Sequence, residues 1–147
     1  VKVVLQRVTE ARVRVANKVV GEISAGLVIL FCAEWDDTIS DAEYFAGKIA
    51  KMRIFPDENG KTNLSIMDVG GSTLVISHFT LAADWRKGNR PGFSKAATPE
   101  LGNERYEQFC KLLSGHEVPV EKGVFGAEMS VELVNDGPFT IMMDSDD

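Results

Sequence analysis

Cysteine is scarce in this chain. The two present, Cys32 and Cys110, share no CxxC or Cys/His spacing. That argues against a disulfide framework and against a structural zinc site. Cys32 falls in the apolar run Leu27 to Ala33, and Cys110 on the apolar side of an expected helix, so both are expected as reduced core thiols. Histidine is confined to His78 and His116. No GxSxG elbow, HExxH helix or Walker loop occurs. His116 follows the expected end of a helix and reads as a surface residue. A Ser-His-Asp triad would have to be built around His78, and no spacing supports one. Asp36 and Asp37 sit in a turn-like stretch and read as solvated loop carboxylates.

Long hydrophobic runs are missing too. The longest, LVILFCA from Leu27, is far too short to span a bilayer and reads as a buried strand. Lys2 is followed only by Val3, Val4 and Leu5 before Gln6 and Arg7, so no signal peptide is expected and a cytoplasmic protein is. The last twenty residues contain no Lys or Arg but six carboxylates, whereas the first twenty carry five cations against Glu10 alone. A net charge of -6 argues against bulk binding of nucleic acid but leaves room for a local basic face.

What is present suits one domain over residues 1–147, with 44% hydrophobic and 26% charged residues. Strands are expected from Val3 to Ala16, Lys18 to Ile23 and Gly26 to Ala33. Ser40-Asp41-Ala42-Glu43 has the spacing of a capping box. Ala42, Phe45, Ile49 and Met52 then recur at helical intervals, which predicts a helix from Asp41 to about Met52. STLVISHFTL, Ser72 to Leu81, reads as a strongly apolar strand. Thr98 with Pro99 behind it opens a second helix, whose apolar face is Leu101, Tyr106, Phe109, Cys110 and Leu113. Gly115 sits where a C-terminal glycine belongs. Val118 to Asp144 reads as strands with glycine turns. Many strands with two separated helices make the chain α+β.

With the usual catalytic motifs absent, chemistry must use hydroxyls, backbone amides or the substrate itself. Three segments qualify. Ser77-His78-Phe79-Thr80 places three polar side chains at the end of an apolar strand, with Ser77 and Phe79 expected on one face and His78 and Thr80 on the other. Asn135-Asp136-Gly137-Pro138 lies between the strand-like runs Val131 to Val134 and Phe139 to Met143, a pattern that predicts a hairpin turn. Asp84 to Lys95 mixes four basic residues with Trp85 and Phe93, a combination that suits either phosphate and base contacts or a solvated loop.

Taken together, the segments resemble the bacterial-type D-aminoacyl-tRNA deacylases. The likeness runs through Leu5-Gln6-Arg7-Val8, Arg53-Ile54-Phe55, Asn63-Leu64 and Gly70-Gly71-Ser72. It continues in Ser77 to Asp84 (SHFTLAAD), Arg90-Pro91, Phe93-Ser94-Lys95 and Phe125-Gly126-Ala127, and closes on Leu133 to Pro138 (LVNDGP). The resemblance implies an enzyme that hydrolyses the ester joining a D-amino acid, or glycine, to the 3′-terminal ribose of tRNA. It implies a compact barrel-like α+β fold with two main helices, a homodimer with active sites at the subunit interface, and no metal or organic cofactor. It implies a cis bond at Gly137-Pro138, a pair that projects into the partner's site and excludes an L side chain, with Arg7 bracing it. Ser77, His78, Phe79 and Thr80 would form the catalytic wall, backbone N–H groups near Phe79 and Thr80 serving as an oxyanion hole. Phe125 and Met129 resemble residues that pack around the terminal adenosine, though by pattern alone they fit a core equally well. The family usually has glutamine where this chain has His78.

Two mechanisms follow from the resemblance. Thr80 acts as nucleophile, or the 2′-hydroxyl of the tRNA helps to activate water; the second is preferred, because a threonine nucleophile needs a base. Two other functions fit parts of the sequence: a related deacylase that edits a mischarged small L-amino acid, and a non-catalytic tRNA-binding module built on the basic loop.

Overall fold

A computed structural model describes residues 1–147. The chain runs β1 (Lys2–Val15), β2 (Lys18–Ile23), β3 (Gly26–Cys32), α1 (Ile39–Lys51), β4 (Phe55–Pro56), β5 (Thr62–Leu64), β6 (Ser72–Ser77), a 3-10 turn (Phe79–Ala82), α2 (Pro99–Gly115), β7 (Val120–Lys122) and β8 (Ser130–Asp144). It is the expected α+β arrangement. The main sheet has the order β2-β1-β3-β6-β7, with β8 also paired to β1, while β4 and β5 form a small separate hairpin.

The long strand β1 organises the sheet. Along one edge it pairs antiparallel with β8 over almost its whole length, from Lys2 opposite Asp144 to Arg14 opposite Ser130. Its other edge is shared, the first half pairing with β3 and the second with β2. Then β3, β6 and β7 run parallel, so α1 lies within one crossover and α2 within the next.

Alternation along the strands separates two cores. Val3, Leu5, Leu27, Ile29, Phe31 and Val75 face the helices, where they meet Phe45 and Ile49 of α1 and Tyr106, Phe109 and Leu113 of α2. Phe31 stacks on Phe109 with ring centroids 4.7 Å apart. The buried Tyr106 hydroxyl is satisfied by donating to the Val75 carbonyl at 2.8 Å. Val8, Ala11, Val13, Ile23, Val28, Leu74 and Ile76 form the second core on the opposite side. The sheet curls around this second core until β2 meets β7, giving a nearly closed barrel. Gly21 makes that closure possible: a Cβ there would stand 2.6 Å from the Lys122 carbonyl oxygen and 3.0 Å from Leu74 Cδ1. Both cysteines are buried and free, and burial pushes the thiols up, Cys32 to about 11 and Cys110 to about 12.

Four details differ from the sequence reading. α1 begins at Ile39 with Thr38 as its N-cap, whose N–H donates to Asp41 Oδ2 at 2.9 Å. Thr38 and Asp41 thus use the same three-residue spacing as Ser40 and Glu43, two positions earlier. The left-handed residue after α2 is Glu117 (φ 65°), while Gly115 is the last helical residue. β6 ends at Ser77 rather than Leu81, because the chain turns into the 3-10 segment immediately after His78. Finally, Asn135 to Pro138 is not a hairpin turn. The runs on either side belong to one strand, β8, and both lie beside β1: Val8 pairs with Asn135 and Gln6 with Thr140. Residues 136–139 are therefore extra chain opposite Arg7, an enlarged bulge. Local pattern could not reveal that both runs share a partner at the other end of the sequence. No helix is long and apolar enough to cross a membrane.

Candidate active site

At the end of β6 the chain leaves the sheet in an ordered way. The His78 N–H still donates to the Phe31 carbonyl at 2.8 Å, continuing the parallel ladder with β3. Its backbone then breaks from strand geometry, at φ -144° and ψ 80°. The first turn bonds are Leu81 N–H to the His78 carbonyl (3.2 Å) and Ala83 N–H to the Thr80 carbonyl (3.1 Å). The N–H groups of Phe79 and Thr80 precede the first internal bond, so the turn itself gives them no partner. Beneath it the Cys32 thiol donates to the Phe79 carbonyl at 3.6 Å.

This turn forms one wall of a cavity of about 620 Å³. Ser77, His78, Phe79 and Thr80 line it from β6 and the turn, Phe125 and Met129 from the segment before β8. The N-terminal end of α2 closes another side with Thr98, Pro99 and Gly102. Phe79 is 58% exposed, an unusual state for such a side chain, and its ring meets Phe93 edge-on at 5.2 Å. Phe125 belongs to cavity and core at once: it lines the space and packs on buried Tyr106, ring centroids 6.3 Å apart. Met129 likewise lines the cavity while packing against the second core. An apolar space with a few polar groups on one wall is the ordinary form of a small-molecule site.

His78 is half-buried, and that burial lowers its pKa from the ordinary histidine value. Burial thus favours the neutral imidazole over the charged form. Neutral imidazole offers one donor and one acceptor, so like a glutamine amide it can both give and accept a hydrogen bond.

The bulge in β8 is built separately. Its base is tied by Asn135, whose Oδ1 accepts from the Phe139 N–H at 2.7 Å and whose Nδ2 donates to Thr140 Oγ1 at 3.0 Å. Arg7 holds the loop from beneath. Its Nε donates to the Asp136 carbonyl at 3.1 Å, another guanidinium nitrogen donates to the Ile54 carbonyl at 2.7 Å, and the group lies 4.5 Å from the Phe139 ring centroid. Gly137 and Pro138 are exposed, and the bond between them is cis. Gly137 has φ 138°, where side chains are disfavoured, and a Cβ would stand 3.0 Å from the Phe139 nitrogen and 3.2 Å from the Arg7 guanidinium.

The nine residues singled out in the sequence thus fall in two groups. Ser77, His78, Phe79, Thr80, Phe125 and Met129 share the cavity. Arg7, Gly137 and Pro138 form the braced bulge and do not line that cavity. Sequence reasoning missed Cys32 under the turn, the α2 residues of the cavity rim, and Asn135 as the tie of the bulge. Only Asn135 had a local signal, since asparagine side chains commonly hydrogen-bond nearby backbone.

The curled sheet, its two packed helices and the apolar cavity define a small α+β protein with a ligand-sized site at the end of a central strand. The chain belongs to the D-Tyr-tRNA(Tyr) deacylase family, whose profile matches residues 4–144. A D-aminoacyl-tRNA deacylase of Ruegeria pomeroyi is 54% identical over 143 residues, covering 97% of this chain and 99% of the relative. One of Fervidobacterium nodosum is 51% identical over 144 residues, covering 98% and 97%. Among solved structures, a c-Myc DNA unwinding element binding protein superimposes with a TM-score of 0.92 at 37% identity, over 99% of each chain. A probable eukaryotic D-amino acid tRNA deacylase shares the fold, with a TM-score of 0.84 at 17% identity over 97% of each.

Proposed function

We propose that the chain hydrolyses the ester bond of D-aminoacyl-tRNA, and of glycyl-tRNA, releasing free tRNA and the amino acid while leaving L-aminoacyl-tRNA intact. The observation that carries this reading is the Phe79–Thr80 turn on the cavity wall, where two N–H groups lie ahead of the first turn bond. Such donors stabilise the charge that develops on an ester carbonyl oxygen during hydrolysis. Family membership and relatives of the same activity over nearly the whole chain support the same conclusion. In this reading Phe125 and Met129 pack on the terminal adenosine, and the backbone from Ser77 to Thr80 faces the ester. Parallel deacylation of D-, glycyl- and L-aminoacyl-tRNA by the pure protein tests it.

The chiral filter in this proposal is the braced bulge of a second copy of the chain. Two features support a homodimer. Gly137 and Pro138 project from their strand but do not line their own cavity. The strand carrying them pairs only with β1 and exposes Val134 and, at 82%, Met142. Inserted into a partner's cavity, backbone at Gly137-Pro138 rejects an L side chain by clash. That is the route open to a site whose two candidate substrates carry identical groups.

For the chemical step the proposal uses water assisted by the tRNA 2′-hydroxyl, with the protein supplying position and amide donors. Thr80 has no Asp, Glu or Lys beside it in the turn, and His78 is the one neighbouring base. The variants Thr80→Ala and His78→Gln test this together. Each should retain kcat within about threefold, as expected when no proton-transfer catalysis worth 100-fold or more is removed. For His78→Gln the pH–rate profile should also keep its shape. A collapse of Thr80→Ala would assign the nucleophile, and a collapse or a shifted profile in His78→Gln would assign the base. The His78 shift has a stability consequence of definite sign. Because the folded pKa lies below the unfolded one, the unfolded chain takes up the proton first, so His78 costs stability as pH falls through the ordinary histidine value near 6.5. The Tm gap between His78→Gln and the parent should widen in the variant's favour from pH 7 to pH 5.

A further inference from the structure

Beside the cavity stands a basic finger that the proposed chemistry does not use. Its neck is a two-bond bridge: the Asp84 N–H donates to the Gly92 carbonyl at 2.7 Å and the Gly92 N–H to the Asp84 carbonyl at 2.9 Å. Every residue from Trp85 to Pro91 is exposed. The finger rises from the cavity wall itself, since Thr80 lies before its neck and Phe93, Ala96 and Ala97 after it, all lining the cavity.

Its charges are sorted. Arg86 is neutralised within the neck, its guanidinium gripping Asp84 at 2.9 and 3.2 Å and holding that carboxyl down to about 2. Lys87, Arg90 and Lys95 are exposed and form no ion pair, on a chain whose net charge is -6. Elsewhere the half-buried cations Lys2, Arg12, Arg14 and Lys122 are matched to carboxylates, while the exposed Lys18, Lys48, Lys51, Arg53, Lys61 and Lys111 are, like those of the finger, without an ion pair. What sets Lys87, Arg90 and Lys95 apart is their place: they lie close together in the chain, on a segment whose flanks line the cavity, and cations so placed point to an anionic ligand.

The chain's two tryptophans stand here as well. Trp85 is 76% exposed on the finger. Trp35 is 63% exposed, and its N–H donates to the Lys95 carbonyl at 3.0 Å. Large aromatic rings left in water beside free cations are the components of a single-strand nucleic-acid platform, with stacking faces for bases and point charges for phosphates.

We propose that this finger, with Lys95 and Trp35, is the arm that holds the single-stranded RNA leading into the cavity. Lys87, Arg90 and Lys95 contact backbone phosphates, and the two indoles offer stacking surfaces. The proposal rests on the deacylase reading for the identity of the RNA, but not for the existence of the contact. It gives a protein of net charge -6 a cluster of cations for a polyanionic substrate immediately next to the reacting ester.

The test is binding of uncharged tRNA, followed by quenching of the intrinsic fluorescence of Trp35 and Trp85 at salt concentrations from about 50 to 200 mM. The double variant Lys87→Ala/Arg90→Ala should bind about tenfold more weakly at the low-salt end. Its plot of log affinity against log salt should be flatter by about 1.4, the slope that two lost phosphate contacts to a single strand represent. Lys87→Arg/Arg90→Lys keeps both charges and should restore slope and affinity. Equal affinity and slope in the alanine variant and the parent would overturn the proposal, as would failure of the charge-keeping variant to restore them. Deacylation assayed in parallel separates the two claims. Finger-dependent binding without hydrolysis leaves this proposal standing and removes the deacylase reading; hydrolysis with finger-independent binding does the reverse.

Discussion

Arg7→Ala is expected to lower kcat/KM for D-aminoacyl-tRNA by about 100-fold. The guanidinium makes two hydrogen bonds, to the carbonyls of Asp136 and Ile54, and lies against the Phe139 ring. Hydrogen bonds to a charged group contribute about 1.5–3 kcal/mol each, and those left unmade at a partly enclosed site are costly. The two together contribute about 3–6 kcal/mol, and loss of the lower figure from the geometry of the bulge amounts to about two decades in rate. The bulge has little else to hold it. Asn135 ties its base, but residues 136–139 have no register partners on β1. Arg7→Lys should recover little, because an ammonium cannot reproduce a planar fork that spans two carbonyls. If Arg7 merely supports the fold, Arg7→Ala will lower Tm while leaving discrimination between D- and L-esters intact. The account expects that discrimination to narrow.

Gly21→Val is expected to open the barrel. The added Cβ alone would overlap the Lys122 carbonyl oxygen, 2.6 Å away, and that backbone atom cannot move without separating β2 from β7. Overpacking of a closed core costs about 1–3 kcal/mol, with the upper end expected when backbone is the obstacle. In a chain of this length about 3 kcal/mol corresponds to a drop in Tm of about 6–12 °C. Thermal unfolding followed by circular dichroism measures it. A Tm within about 2 °C of the parent would mean that β2 is free to swing away and that the closure is not part of the stable fold.

Much of the fold was legible because its signals are periodic. Alternation marked β1, and the helical spacing of Phe45 and Ile49 and of Tyr106 and Phe109 marked the two helices and the faces they bury. The ends of elements were less legible. Thr38 and Ser40 offer the same capping chemistry, and only packing chooses between them. At Ser77 and His78 the apolar run is interrupted but resumes with Phe79 and Leu81, so the change from strand to 3-10 turn is blurred in the sequence.

The bulge was the least legible feature. Asn-Asp-Gly-Pro between two strand-like runs is a turn by every local rule, and the information that overrides it lies in β1, more than 120 residues earlier in the chain. Resemblance to the deacylases supplied the cis bond and the Arg7 brace but not the bulge itself, whose flanking runs belong to one strand. The cavity wall from Ser77 to Thr80 came from both sources, as polar residues ending an apolar strand and as a family motif. Phe125 could not be assigned to core or cavity from sequence because it serves both.

The most direct test of the central claim is the rate of ester loss from tRNA charged with a D-amino acid, with glycine and with the L form of that same amino acid, measured side by side at one enzyme concentration. The account predicts turnover of the D- and glycyl-esters, with the L-ester slower by at least about 100-fold, equivalent to about 3 kcal/mol of rejection. Equal rates for the D- and L-esters, or a preference for L, would contradict it.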